Sequence, residues 1–174
     1  MTYLEVRINY YVTIAKYWKN ETIFLGVILL IFFACINVKI TIKKVIIAEL
    51  LVLYTFYILL FTVLSRYPIQ IYQYKLIPFW SYVRIIYGDK NYIKEILLNI
   101  IVFIPEGHFL ALFFSGWSKK KCVIAGMLFS STIEITQLIT KRGMFEFDDI
   151  IGNTIGVMLG VMITEYCRRK ICNK

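Results

Sequence analysis

The sequence is poor in charged residues, which make up only 18% of its 174 residues, and it contains nine glycines, three prolines and four cysteines. So few charges exclude a disordered chain, so few glycines and prolines exclude a collagen-like one, and so few cysteines exclude a disulfide-rich scaffold. Apolar residues make up 59% of the chain, against about 45–50% in soluble domains. A small soluble domain keeps much of its surface exposed and cannot bury so many apolar side chains. The composition predicts a polytopic membrane protein.

The net charge is +9, but the cations lie in short patches between apolar runs. A basic soluble domain would suggest nucleic-acid binding, and because no such domain stands apart here we predict no nucleic-acid partner. Cations between membrane spans instead orient the helices and meet anionic head groups, so membrane lipids are the predicted partners. The first twenty residues lack a compact apolar run, so we expect no cleavable signal peptide.

Five apolar runs are long enough, or nearly so, to cross a bilayer core as helices. They cover residues 22–38, 45–64, 96–114, 122–140 and 150–166. The predicted fold class is all-α, a membrane bundle of five transmembrane helices. We predict an extra N-terminal span at 22–38, a main membrane domain at 45–166 and a basic cytoplasmic tail at 167–174.

Residues 1–21 precede the first predicted span. Apolar residues recur there at helical spacing, with Arg7 and Lys16 among them. This pattern is typical of a helix that lies in the membrane interface. A partly ordered tail is the alternative interpretation.

Lysine and arginine are dense in three short segments that five spans place on one side of the membrane. These cations are Lys39, Lys43, Lys44, Lys119, Lys120, Lys121, Arg168, Arg169, Lys170 and Lys174. Cations close to span ends favour the cytoplasm, so we predict a cytoplasmic C-terminus and an N-terminus outside. Both sides hold ten cations in total, so the prediction depends on density. The cysteines fall on the cytoplasmic side, where thiols stay reduced, and their spacing suggests no zinc site.

Eight polar residues lie at or just inside the outer leaflet when depth is counted at about 1.5 Å per helical residue. They are Arg66, Asn99, Glu134, Gln137, Arg142, Asp148, Asp149 and Asn153. An ionisable side chain inside a span costs about 2.5–3.5 kcal/mol on insertion scales, so it needs a partner or a wet cavity. The set predicts an outward-facing, ligand-binding polar cavity. A structural network of ion pairs and hydrogen bonds is the alternative.

Two further polar residues, Glu106 and His108, lie near the middle of the third predicted span. They are two positions apart and do not fully share one helical face. Both a buried pairing with other helices and a proton-relay role remain open for them.

Gly152, Gly156 and Gly160 form a GxxxGxxxG strip in the last predicted span. Such a strip lets another helix approach closely. We predict that the partner is a helix of the same chain, with a second copy as the alternative.

The loop at residues 76–82 contains Phe79, Trp80 and Tyr82 beside a predicted span end. Aromatic residues at that level anchor in the head-group layer. The alternative is that they contact a lipid-linked or amphipathic ligand.

Several short motifs follow one another along the chain. They are an arginine just after a span (Arg66), Leu-Ile-Pro-Phe at 76–79, Asn99-Ile-x-x-Phe-Ile-Pro-x-Gly107, Ser131, Glu134 and Gln137 at intervals of three, Arg142, and Phe147-Asp-Asp-x-Ile-x-Asn-Thr-x-Gly156. Over about residues 54–163 the chain resembles the VanZ-like family of integral membrane proteins, whose namesake is associated with teicoplanin resistance. The resemblance implies a four-helix core, to which residues 22–38 are an addition. Glu106 stands where the family usually has phenylalanine, between Pro105 and Gly107.

The resemblance implies no reaction, and the sequence holds no motif typical of phosphate-loop, zincin or serine-hydrolase chemistry. We therefore expect a protein that binds a polar, lipid-linked or glycopeptide-related ligand and contributes to tolerance of teicoplanin-like antibiotics. The alternative is an intramembrane lipid-modifying enzyme with Glu134 or Asp149 as general base. We predict no cofactor and no metal.

Overall fold

The structure is a computed structural model that describes residues 42–172. Its helices are α1 (Ile42–Leu59, continued by a π-helical turn at Leu60–Leu64), α2 (Trp80–Ile86), α3 (Asn91–Phe113), α4 (Lys119–Thr140) and α5 (Phe147–Cys172). Its strands are β1 (Gln73–Lys75) and β2 (Met144–Glu146).

Four helices are long and apolar enough to cross a membrane: α1 with its π-helical turn, α3, α4 and α5. The predicted multi-span helical membrane protein is thereby confirmed for residues 42–172. The predicted span at 22–38 and the predicted interfacial segment at 1–21 lie outside the described residues and stay predictions.

The helices begin three to five residues before the apolar runs that predict them, for example α3 at Asn91 and not at residue 96. Their first turns contain polar or charged residues, which a count of apolar residues leaves out. At α4 the start is fixed by Ser118, whose side chain accepts a hydrogen bond from the Lys121 N–H at 3.4 Å. Such a cap satisfies a backbone donor that the first helical turn leaves open.

The chain divides into two compact units between Leu53 and Tyr54, within α1. In the first unit the described residues, 42–53, form the first part of α1. The second unit contains the rest of α1 and all later elements. Its apolar core joins side chains from α1, α3, α4 and α5: Ile58, Val63, Phe103, Ala111, Cys122, Ile133, Val157 and Val161.

Helices α3 and α5 approach each other so closely that their backbones touch. A Cβ atom at Gly156 would overlap the Ile100 carbonyl oxygen and lie 2.9 Å from the Phe103 Cβ. Gly107, on α3, faces the Val157 backbone in the same way. The glycine strip of α5 therefore lies against α3 of the same chain, as close packing of small residues allows.

The two strands depart from a purely helical fold. They pair in parallel, with Gln73 opposite Met144 and Lys75 opposite Glu146. Each has only three residues, too few to produce a recognisable alternation in the sequence. The pair joins the loop after α1 to the turn between α4 and α5, at one end of the bundle.

Candidate binding cavity

A cavity of about 330 Å³ opens among α1, α3, α4 and α5. Six of the eight polar residues singled out from the sequence line it: Arg66, Asn99, Glu134, Gln137, Asp149 and Asn153. Glu134 and Gln137 lie in the last two turns of α4, and Asp149 and Asn153 lie in the first two turns of α5. Because α4 and α5 are consecutive antiparallel helices, the end of α4 and the start of α5 lie at the same end of the bundle.

The two cavity residues of α4 are held by backbone groups of neighbouring segments. Glu134 is 2% exposed, and its Oε2 accepts a hydrogen bond from the Glu146 N–H of β2 at 3.0 Å. Gln137 donates from Nε2 to the Thr62 carbonyl oxygen at 3.1 Å. These bonds fix both side chains, and each leaves its second polar atom available to the cavity.

The carboxylate of Asp149 is positioned by helix α3. Asn99 donates from Nδ2 to Asp149 Oδ1 at 2.6 Å. One turn further along α5, Asn153 donates from Nδ2 to Ser130 Oγ at 2.8 Å. A single interhelical bond thus orients each of these α5 side chains.

Among the described residues, 42–172, the carbonyl oxygen of the Asn153 side chain has no hydrogen-bond partner, although the residue is only 4% exposed. A buried polar atom left without a partner costs about 1–3 kcal/mol. Such an atom in a native structure calls for an explanation, and a ligand or water in the cavity supplies one.

Arg66 follows the end of α1 and is exposed at the cavity. Within residues 42–172 it forms no ion pair with Glu134 or Asp149. Gly143 makes room for it, because a Cβ atom there would lie 2.8 Å from the Arg66 guanidinium and 2.8 Å from Gln137 Oε1. Gly143 is a site residue that the sequence did not single out.

The structure does not bring Arg142 and Asp148 into the cavity lining. Arg142 donates from Nη1 to the Leu64 carbonyl oxygen at 2.9 Å, which ties the α4–α5 turn to the end of α1. Asp148 accepts hydrogen bonds from the N–H groups of Phe79, at 2.5 Å, and Ser81, at 2.7 Å. Asp148 thereby anchors the start of α2, where Phe79 adopts a left-handed conformation with φ 63°.

Two groups beside the cavity, outside the membrane-spanning helices, have shifted pKa values. Burial raises the pKa of Tyr82 in α2, and the nearby Asp148 carboxylate adds to the increase. Burial alone would lower the pKa of Lys75, but its ion pair with Glu146, at 3.2 Å, raises the pKa overall.

Apolar residues complete the cavity wall. They are Tyr57, Ile58, Phe61, Leu98, Val102, Phe103 and Ile133. The Tyr57 and Phe61 rings lie 4.5 Å apart, one turn from each other on α1. The sequence did not identify this wall, because apolar residues of a span look alike whichever side they face.

The aromatic loop at residues 76–82 lies elsewhere. None of its residues lines the polar cavity; Leu76, Ile77 and Trp80 line a separate apolar hollow of about 300 Å³ together with β1. Phe79 and Trp80 are exposed, which suits side chains at the level of lipid head groups.

Glu106 and His108 are also separate from the cavity. Glu106 is buried and accepts a hydrogen bond from Thr55 Oγ1 of α1, at 3.2 Å. His108 Nδ1 lies 2.8 Å from Thr164 Oγ1 of α5. The two side chains bond to different helices, which follows from their spacing of two residues on α3.

Comparison with known proteins gives one match. A family model described as VanZ/LLP1 matches residues 45–168 of the chain. No curated protein and no solved structure matches it.

Proposed function

The chain belongs to the VanZ-like family of membrane proteins, and from this we propose that its polar cavity binds a polar or lipid-linked ligand and contributes to tolerance of teicoplanin-like glycopeptides. The observation that carries the binding proposal is the cavity itself. Side chains from four spans converge there, and one deeply buried oxygen, Asn153 Oδ1, has no partner in the described part of the chain.

The lack of ion pairs at the cavity favours a binding site over a purely structural network. In a network that only holds helices together, the charged side chains pair with each other. Within residues 42–172, however, neither Glu134 nor Asp149 forms an ion pair. Unpaired ionisable groups inside a span are expensive and usually mark a functional site. The apolar wall around Tyr57 and Phe61 suits the hydrophobic part of an amphipathic ligand.

We further propose that the cavity faces the outside of the cell. It lies at the end of the bundle that holds the loop at 65–90 and the turn at 141–146. The opposite end holds Lys119, Lys120 and Lys121 at the start of α4, and such dense cations favour the cytoplasm.

A second candidate function is a lipid-modifying enzyme, and one observation favours it. Two carboxylates, Glu134 and Asp149, line the same cavity, and either is placed to act as a general base. In this proposal the cavity holds a lipid substrate and not a ligand that is released unchanged.

The decisive experiment compares cells that express the wild type, Glu134→Gln or Asp149→Asn. Teicoplanin sensitivity and membrane lipid composition are measured together at equal protein levels. Glu165→Gln is the matched control, because Glu165 lies about 24 Å along α5 from Asp149 and pairs with Arg168.

Greater sensitivity in the two cavity variants, with unchanged lipids and a wild-type-like control, supports the binding proposal. A lipid species that accumulates only in the cavity variants supports the enzyme instead. Wild-type behaviour of both variants in both assays would refute both proposals and leave the cluster with a structural role.

A further inference from the structure

We infer that the cavity recognises a primary ammonium group carried by an amphipathic molecule such as an aminophospholipid. This inference rests on the proposed binding function and names the chemistry of the ligand. It follows from the acceptor atoms that the cavity leaves open and from the two carboxyl groups that line it.

Several acceptor atoms of the cavity are open within residues 42–172. Glu134 uses only Oε2 and Asp149 uses only Oδ1 in hydrogen bonds there, so each carboxyl group has a second oxygen to offer. Gln137 donates one Nε2–H to Thr62, and its oxygen accepts no hydrogen bond from the described residues. The partner that satisfies such a set is a donor with several hydrogens.

Asn153 points to the same kind of partner independently of the carboxylates. Its Nδ2 donates to Ser130, and within residues 42–172 its buried Oδ1 has no partner. Only a donor can satisfy this oxygen, and the residue lines the cavity. An anion without a hydrogen of its own would leave it unpaired.

The charge of the cavity agrees. Its lining holds two carboxyl groups, Glu134 and Asp149, and one guanidinium, Arg66, so an ammonium group meets more acidic than basic side chains there. A primary ammonium supplies positive charge and three N–H donors. A quaternary ammonium has the same charge but no N–H, so it cannot satisfy Asn153 Oδ1.

The remaining lining residues fit the rest of an amphipathic amine. Arg66 is exposed at the cavity. Its guanidinium is suited to bind the phosphate group that lies next to the ammonium in an aminophospholipid. Tyr57 and Phe61 offer aromatic faces, which attract cations and contact acyl chains. A metal ion fits less well, because no group of three His, Cys, Asp or Glu side chains in residues 42–172 is arranged to hold one.

The test titrates the purified full-length protein in detergent with short-chain phosphatidylethanolamine, phosphatidylcholine or phosphatidylglycerol and follows lipid adducts by native mass spectrometry. We expect phosphatidylethanolamine to bind about tenfold more tightly than phosphatidylcholine, which is the effect of one charge-assisted hydrogen bond. We also expect n-octylamine to compete with it.

Glu134→Gln and Asp149→Asn should each weaken phosphatidylethanolamine binding by about tenfold. Glu165→Gln and Asp89→Asn, which remove half-buried carboxylates that are outside the cavity and paired with Arg168 and Arg84, should leave it unchanged. Thermal melts of all four variants identify any that fail to fold.

Equal binding of phosphatidylethanolamine and phosphatidylcholine, or failure of n-octylamine to compete, would overturn the ammonium inference. Tighter binding of phosphatidylglycerol that the cavity variants abolish would also overturn it while leaving the proposed binding function intact. A different result would refute the proposed function itself, namely that cells with the cavity variants show wild-type teicoplanin sensitivity and wild-type lipid composition.

Discussion

At the scale of single residues, the contact between α3 and α5 depends on glycine. Gly156 and Gly107 face each other's helix backbones without space for a side chain. Because the two helices lie side by side over several turns, one added methyl group must push the backbones apart. Overpacking of this kind destabilises proteins by about 1–3 kcal/mol.

Gly156→Ala should therefore lower the thermal stability of the protein in detergent, because its Cβ would overlap the Ile100 carbonyl oxygen. Gly116→Ala is the matched control, since nothing lies within 4 Å of a Cβ atom there. Stability is measured as the fraction of monodisperse protein left after heating. Equal melting of the two variants would contradict the close approach of α3 and α5.

The Glu134 carboxylate leads to a second prediction at this scale. An ionisable group without an ion-pair partner is costly to hold inside a span, so a neutral side chain of the same shape removes that cost. Glu134→Gln keeps an oxygen to accept the Glu146 N–H and removes the charge. We expect a melting temperature equal to or above that of the wild type.

A clear decrease in the melting temperature of Glu134→Gln would indicate that the carboxylate fastens the bundle. An increase together with lost ligand binding is the pattern of a site that gives up stability for function. The thermal melt and the binding titration, made on the same preparation, separate these cases.

At the scale of elements, the pairing of β1 with β2 positions the cavity. The backbone N–H of Glu146 in β2 donates a hydrogen bond to Glu134, and the Glu146 carboxylate forms an ion pair with Lys75 of β1. Because the pKa of Lys75 is raised, the ion pair contributes stability below the ordinary lysine pKa of 10.5 as long as the Glu146 carboxylate is ionised. On the alkaline side that contribution is lost as the pH rises through the raised pKa.

Reversal of one charge tests the strand pair. Lys75→Glu should lower the free energy of unfolding by about 1 kcal/mol, because it places two carboxylates together at a half-buried site. The double variant Lys75→Glu/Glu146→Lys should regain most of that loss, as measured by denaturation in mixed micelles. If the double variant is no more stable than Lys75→Glu, the two side chains do not interact.

At the scale of the whole molecule, the orientation in the membrane decides what the cavity meets. We expect the loop at 65–90 to face outside and the α3–α4 turn to face the cytoplasm. With the native cysteines replaced by serine, an impermeant thiol reagent should label Gln70→Cys in intact cells and Gly116→Cys only after permeabilisation. Both positions are exposed at opposite ends of the bundle, so the reverse labelling pattern would mean the opposite orientation.

Apolar runs and residue spacing alone predict the membrane class, the four described spans and the end of the bundle at which the polar residues gather. Long uninterrupted apolar runs suffice for the spans, because a bilayer accepts only helices of that length and composition. Depth along each helix follows from a fixed rise per residue, so Asn99, Glu134 and Asn153 are placed at one level without any tertiary information.

Which of those residues share a cavity depends on how the helices pack, and no sequence pattern shows it. Asp148 and Asp149 are adjacent and chemically alike, yet Asp149 lines the cavity while Asp148 holds the start of α2. The two side chains differ because successive helical positions point about 100° apart, and only the packing of neighbours fixes which direction faces which partner. The unpartnered oxygen of Asn153 and the short strand pair are decided in the same way, by contacts between segments far apart in the chain.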